Sequence, residues 1–425
     1  MSWLLVVGLI VLLALNVPVA YAMLGVSILY LFLKPDLPLI VVAQQVAAGT
    51  DKFLLLAIPF FFLAAEFMSS GGIMQRLVDL ARALVGHLRG GLGLMNVLAS
   101  MFFAGVSGSA VADAAGMGRM EIEMMRRGGY PHAFSAAVTA ASATIGPIIP
   151  PSIPLVVYGS IANVSVGQLF LGGFVPGVFM GIFLMASVWL IAGRRAFPRT
   201  HWTGWRQLAR SVTQSIPVIV LPVIILGGIF SGVFTPTESA IVAAAYALVI
   251  GVALGELRLP DVPGVLVHVA ADTSRVMLIV ATAALYSWIL AREGLPGEVT
   301  AFFLRIDADP WLFLLLVNAL LLILGCFMEP LPIMVIVVPT LLPVVKALGI
   351  DFVHFGLVVT LSLMIGLITP PVGLILFVIM DMTKLSLEAL MKETWLFFAA
   401  LLAVLALITY VPWLVLAVPN FFFGS

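Results

Sequence analysis

The sequence predicts an all-α polytopic membrane protein, with about eleven transmembrane helices plus two re-entrant hairpins in two inverted repeats. Three observations lead there. Hydrophobic residues make up 63% of the 425 residues and charged residues only 9%, against about 25% charged in a soluble globular chain. Apolar stretches without Asp, Glu, Lys or Arg recur along the chain, among them 90–112, 128–193, 352–380 and 394–425. A Gly-bearing, Pro-broken segment occurs twice, 220 residues apart.

The elements follow in chain order. Residues 3–33 form an uncharged apolar run with no basic start; it reads as a first membrane helix, broken or kinked near Pro18, and not as a cleaved leader. Residues 71–92 place Arg76, Asp79, Arg82, His87 and Arg89 among Leu, Val and Ala, the pattern of a helix lying at a membrane surface. Residues 295–306 look like its counterpart. The apolar runs lack strand alternation, which argues helices over a β-barrel. Five Arg and no acid between Arg194 and Arg210 place that loop in the cytoplasm by the positive-inside rule. From Thr394 on there is no positive charge, so the C-terminus is expected outside.

The repeat divides the chain into 1–200 and 201–425. Residues 146–151 read GPIIPP and residues 366–371 read GLITPP, so Gly146, Pro150 and Pro151 match Gly366, Pro370 and Pro371. Gly105 matches Gly325 at the same offset, and VSVGQLF (164–170) resembles KLSLEAL (384–390) after a one-residue slip. Each half is expected to hold scaffold helices, a hairpin (near 92–115 and 311–345) and a broken helix (131–163 and 352–384).

The broken segments carry the chemistry. Two consecutive prolines remove two backbone donors and clash with the carbonyls one turn back. The helix should open between Gly146 and Pro151 and free the carbonyls near Gly146 and Ile149. Unpaired carbonyls at membrane depth are tolerated only inside protein or along a cavity, and a hard cation such as Na⁺ satisfies them. Gly366, Thr369 and Pro371 offer the same arrangement, with a hydroxyl added. GVSGS (105–109) supplies Ser107 and Ser109 at one hairpin turn; Gly325 to Pro330 forms the other. Half-helix N-termini there point positive dipole ends at an anionic substrate. Gly108, Ser152, Glu329 and Pro370, at these turns and breaks, are the candidate substrate contacts. Glu329 follows a fully apolar run, and acids at membrane depth default to function. Asp113 and Asp381 read as interfacial, and Arg119, Glu121, Glu123, Arg126 and Arg127 as a solvated loop.

Other classes are disfavoured. Net charge is zero, so nothing favours nucleic acid. One cysteine, Cys326, excludes a disulfide framework and a four-Cys metal site. There is no H-E-x-x-H, G-x-S-x-G or G-x-x-x-x-G-K-[ST], so neither a membrane enzyme nor direct ATP use is indicated. An ion channel commonly assembles from short identical subunits, whereas this chain carries its own repeat. A membrane scaffold without transport is the plainest alternative.

Four segments, GVSGSAVADAAGMG (105–118), RRGGYPHAFSAAVTAASATIGPIIPPSIPLVVYG (126–159), GVFTPTESA (232–240) and GLITPPVGLILFV (366–378), resemble the large membrane subunit of tripartite ATP-independent periplasmic (TRAP) transporters. The resemblance covers essentially the whole chain. It implies Na⁺-coupled secondary import of an organic acid, of the sialic acid or C4-dicarboxylate class, across a bacterial inner membrane by an elevator mechanism, in which a transport domain slides against a scaffold and each is assembled from both halves. It implies a small four-helix membrane subunit, absent from these residues and therefore expected as a separate chain, and a periplasmic substrate-binding protein; the other partner is membrane lipid. A stand-alone ion-coupled anion transporter of the same fold is the alternative. The resemblance places a first Na⁺ site on Ser107, Ser109, Gly146, Ile149 and Pro151. A second follows by the repeat on Gly325, Gly366, Thr369 and Pro371. There Phe327 and Glu329 stand where the first hairpin has Ser107 and Ser109, so carbonyls would have to serve.

Overall fold

The computed structural model describes residues 2–34, 37–69, 71–195, 197–199, 201–202 and 204–424. Of the basic loop 194–210, residues 196, 200 and 203 lie outside the described residues. All regular structure among the described residues is helical. Seven helices are long and apolar enough to cross a membrane, or eight if one bent pair counts as a span. The sequence-based figure of about eleven is larger. The difference sits in segments divided into apolar helices of 10–17 residues.

In the first half, α1 (Ser2–Ala14) and α2 (Val19–Leu33) flank the expected break at Pro18. Helices α3 (Ile40–Thr50) and α4 (Ala57–Met68) form the bent pair, at 60°. The amphipathic stretch is α5 (Gly71–Val85), which buries Ile73, Leu77, Val78 and Ala81 and exposes Asp79 and Arg82. Then come α6 (Gly91–Ser107), α7 (Ala110–Ala115), α8 (Met117–Arg127), α9 (His132–Ala143), α10 (Ile153–Ala162) and α11 (Val166–Arg195). In the second half, α12 (Trp205–Phe230), α13 (Pro236–Ala253), α14 (Val262–Arg292) and α15 (Leu295–Arg305) precede α16 (Pro310–Phe327), α17 (Pro330–Ala347), α18 (Phe352–Gly366), α19 (Leu374–Thr383), α20 (Leu387–Tyr410) and α21 (Trp413–Phe423). Pro at the first or second helical position starts α13, α14, α15, α16 and α17, where its missing N–H costs nothing. Thr235 and Glu238 close a capping box on α13.

The offset of about 220 residues recurs in helix starts and in single bonds. Helices α6, α9, α10 and α11 start at 91, 132, 153 and 166; α16, α18, α19 and α20 start at 310, 352, 374 and 387. The separations are 219, 220, 221 and 221. Ser142 Oγ donates to Asn96 Oδ1 at 2.8 Å, and Ser362, 220 residues on, donates to Asn318 Oδ1 at 3.0 Å. Each bond ties the first arm of a hairpin to its broken helix. Ser165 Oγ accepts from Gln168 N at the start of α11, and Ser386 Oγ from Ala389 N at the start of α20. That pair is offset by 221, the slip visible in the sequence.

The halves interlock. Helix α10 packs against α17, and α19 against α7; α9 packs against α20, and α18 against α11. Each broken helix therefore rests on the hairpin or following helix of the other half. Every residue from Phe134 to Ala143 in α9 and from Val353 to Gly366 in α18 is buried. A helix that is apolar all round has no solvent face to spare, so these two form the centre. A surround of α2, α3, α4, α13 and α14 packs within itself.

Two expectations are corrected here. Arg119 to Arg127 is not a loop but lies in α8, whose Glu121 is 1% exposed. Asp113 is not interfacial: it is 3% exposed, because α7 turns inward and kinks into α8 at Gly116. Asp381 is exposed and pairs with Lys384 at 2.7 Å.

Candidate functional site

The first hairpin turns on one glycine. Helix α6 ends at Ser107; Gly108 takes φ +63°, and Ser109 caps α7 by accepting from Ala112 N. A β-carbon on Gly108 would lie 2.6 Å from Pro151 O. The left-handed backbone and the close approach both require glycine. The hairpin tip is thereby pressed against the break in the helix formed by α9 and α10.

The break opens where the prolines require. Residues 144–152 are all buried. The residue four beyond Gly146 is Pro150, which has no N–H to give. Among the described residues no backbone N–H donates to the carbonyls of Gly146 or Ile149. Pro147 O would lack a partner too, with Pro151 four residues on, but the Ser152 hydroxyl donates to it. Ser152 Oγ also accepts from Leu155 N, capping α10. Both Pro–Pro bonds, 150–151 and 370–371, are cis.

A carboxylate faces this opening. Ser107 Oγ donates to Asp113 Oδ1. Asp113 Oδ2 has no hydrogen-bond partner, and a β-carbon on Gly146 would come within 2.2 Å of it. Ser107, Gly146 and Asp113 thus meet in one buried place, beside a break whose Gly146 carbonyl accepts no backbone hydrogen bond among the described residues. Burying a charge without a partner is costly, and the unpaired carbonyls add to the negative potential. The arrangement is suited to a small cation. Asp113 was missed as part of the site because its burial depends on the kink at Gly116.

The second half is built differently. Gly325 and Gly366 meet backbone to backbone: a β-carbon on Gly366 would lie 2.6 Å from Gly325 Cα. Gly373 N donates to Cys326 O at 2.9 Å and closes the break onto the hairpin. Thr369 Oγ1 donates to Ile365 O at 2.7 Å, which leaves its lone pairs open. No backbone N–H among the described residues donates to the Thr369 or Pro371 carbonyl. Pro370 and Pro371 are exposed, whereas Pro150 and Pro151 are buried. Phe327 is 55% exposed and offers no oxygen.

Both hairpin tips border one cavity of about 420 Å³. Ser107, Gly108 and Ser109 line it from one tip and Glu329 from the other, while Glu66 on α4 and His268, Asp272 and Arg275 on α14 face them. Arg275 Nη1 bonds Asp272 Oδ1 at 2.8 Å. Of the candidate substrate contacts, Gly108 and Glu329 reach this cavity; Ser152 and Pro370 do not line it. Arg292 lies over the Trp288 ring and also stands outside it. The four polar residues of α4 and α14 sit on apolar helices that no motif marks.

Residues 6–414 match the family described as tripartite ATP-independent periplasmic transporter, DctM component. The chain belongs to this family. The DctM chain is 41% identical over 410 residues to the sialic acid TRAP transporter large permease protein SiaM of Vibrio cholerae, covering 96% of each. It is 42% identical over 372 residues to the C4-dicarboxylate TRAP transporter large permease protein DctM of Pseudomonas aeruginosa, covering 87% of each. Its fold resembles the solved YdaH transporter of Alcanivorax borkumensis, with a TM-score of 0.61 at 14% identity over 87% of both chains. At that identity the likeness is one of fold alone. These relatives are permeases and transporters, so the DctM chain is a multi-pass membrane transport protein and not an enzyme.

Proposed function

We propose that this DctM-family chain is the large permease subunit of a Na⁺-coupled secondary importer of an organic acid in a bacterial inner membrane. The observation that carries the reading is the first break: the carbonyls of Gly146 and Ile149 accept no backbone hydrogen bond among the described residues, the free Oδ2 of Asp113 lies against Gly146, and Ser107 holds the other oxygen of that carboxylate. A Na⁺ ion there takes oxygens from Ser107, Ser109, Gly146, Ile149 and Pro151. A second ion takes the carbonyls around Gly325, Gly366, Thr369 and Pro371. The wider exposure at Pro370 and Pro371 makes it the weaker and later-filled of the two.

The substrate binds in the cavity between the hairpin tips and α14. The backbone at Gly108 and Ser109 and the N-terminus of α7 face its carboxylate, and Arg275 meets it from the opposite wall. The relatives named for sialic acid and for C4-dicarboxylates both handle carboxylates, which fits that wall. Coupling follows from position: Na⁺ at the first site fixes the tip that the substrate needs.

Movement follows from the repeat. Helices α6–α10 and α16–α19 form a transport unit that slides as an elevator against the surround, and the halves 1–200 and 201–425 are inverted in the membrane. Loop 194–210 faces the cytoplasm and the C-terminus the periplasm. A small four-helix membrane subunit and a periplasmic substrate-binding protein complete the system. A stand-alone anion transporter of the same fold is the second reading.

Proteoliposomes containing both membrane subunits test this. Uptake of labelled organic acid should require an inward Na⁺ gradient and added binding protein. Equal uptake with K⁺ in place of Na⁺ would end the coupling proposal. Uptake without the binding protein would favour the stand-alone reading.

A further inference from the structure

We propose that the cleft between α5 and the start of α12 binds the headgroup of a zwitterionic phospholipid, a phosphate that carries a primary ammonium. The cleft measures about 530 Å³, within the roughly 300–1,000 Å³ typical of small-molecule sites. It is separate from the transport cavity and shares no lining residue with it.

Its position is at the membrane surface. Helices α11 and α12 are both long and apolar enough to span, so Arg195 at the end of one and Trp205 at the start of the other stand where the chain leaves the bilayer. Trp202 and Trp205 are 40% and 78% exposed and meet edge to face at 5.8 Å. Exposed Trp at the end of a span sits at headgroup level. Helix α5 packs its apolar face on α6 and α12 and turns Asp79 and Arg82 out, so it stands beside α12 and forms one wall of the cleft.

The lining has two chemistries. Arg82, His87, His201, Gln207 and Ser211 supply N–H and O–H donors. Arg82 has no ion-pair partner among the described residues. His87 is covered by Trp202, ring to ring at 4.6 Å, and its Nδ1 is buried without a hydrogen-bond partner. This donor set suits phosphate oxygens. Asp79 stands on the same wall, one turn before Arg82. Gln75 Nε2 donates to its Oδ1 at 3.0 Å, which leaves Oδ2 for a cation. A purely anionic headgroup would face this carboxylate unpaired, whereas an ammonium next to the phosphate satisfies Asp79 as well as the donors.

The purified full chain in detergent, titrated with phosphatidylethanolamine or phosphatidylglycerol and read by native mass spectrometry, tests the proposal. The wild type should retain phosphatidylethanolamine at least about tenfold better than phosphatidylglycerol, which corresponds to ~1.4 kcal/mol. Arg82→Gln should lower phosphatidylethanolamine retention about tenfold, and Asp79→Asn should erase the preference between the two lipids. Gln207→Ala, at an exposed helical position, provides a variant with no charge change and should weaken retention in the same direction. Equal retention of both lipids by the wild type, or retention unchanged in Arg82→Gln and Gln207→Ala, would overturn the proposal. Displacement of the lipid by millimolar inorganic phosphate would also overturn it, by showing a site for free anions.

Discussion

Gly146 lies directly against the carboxylate of Asp113, so that a β-carbon on the glycine would sit 2.2 Å from Oδ2. The same oxygen has no hydrogen-bond partner, and the other oxygen of that carboxylate is held by Ser107. The glycine is thus required by a neighbour on another helix, and not by its own backbone angles. The opening it preserves is the proposed first Na⁺ site.

Gly146→Ala fills that opening. The added methyl must displace Asp113 or the break itself, and the bare carbonyls lose their alignment. The Na⁺ concentration for half-maximal uptake should rise more than about tenfold, equivalent to ~1.4 kcal/mol. Uptake titrated with Na⁺ in proteoliposomes measures it; an unchanged Na⁺ dependence would remove Gly146 from the site.

Asp113→Asn keeps the shape and removes the charge. If Oδ2 draws the ion in, Na⁺ affinity should fall by about tenfold or more while thermal stability without Na⁺ holds or rises. The rise has a reason: an unpartnered buried carboxylate costs stability, and an amide costs less. Melting temperatures in choline and in Na⁺ buffers separate the two effects.

Gly366→Ala acts on packing. Its β-carbon would lie 2.6 Å from Gly325 Cα, and backbone cannot step aside as a side chain can. Helices α16 and α18 must move apart, at a cost of about 1–3 kcal/mol for overpacking. The melting temperature should drop even in the absence of Na⁺, unlike the result expected for Asp113→Asn.

The paired serines test the repeat energetically. Ser142→Ala takes away the donor to Asn96 Oδ1, and Ser362→Ala the donor to Asn318 Oδ1. Each leaves a buried amide oxygen short of a bond, worth about 1–2 kcal/mol. Comparable losses of stability are expected from the two variants. A large loss from one and none from the other would show that the halves are not energetic equivalents.

Arg275→Gln should act on the substrate alone. The guanidinium lines the cavity opposite the first hairpin tip and belongs to α14, which contributes no oxygen to either proposed Na⁺ site. The KM for the organic acid, read from uptake at saturating Na⁺, should rise about tenfold, while a Na⁺ titration at saturating substrate should match the wild type.

What the sequence made legible was what local chemistry dictates. Two prolines in an apolar run break a helix wherever they fall, so the breaks near Gly146 and Gly366 stood out, and a shared offset made them a pair. The turn at Gly108 was legible for the same reason. Burial was harder. Asp113 follows a run of small residues and Glu121 stands among charges, so both read as surface positions; the kink at Gly116, the packing of α7 on α19 and that of α8 on α9 take them inside. The cavity wall formed by Glu66, His268, Asp272 and Arg275 depends on how α4 and α14 meet the hairpins, a long-range arrangement with no local signature. The inequality of the two sites was foreshadowed by Phe327 and Glu329 replacing the serines, but the exposure of Pro370 and Pro371 was not.

Equilibrium binding of radioactive Na⁺ to the purified chain, without substrate or partners, tests the central proposal most directly. Saturable binding that excess K⁺ does not displace is predicted, with Gly146→Ala losing the tighter component. Absence of saturable Na⁺ binding, or binding that Gly146→Ala leaves unchanged, would contradict the account.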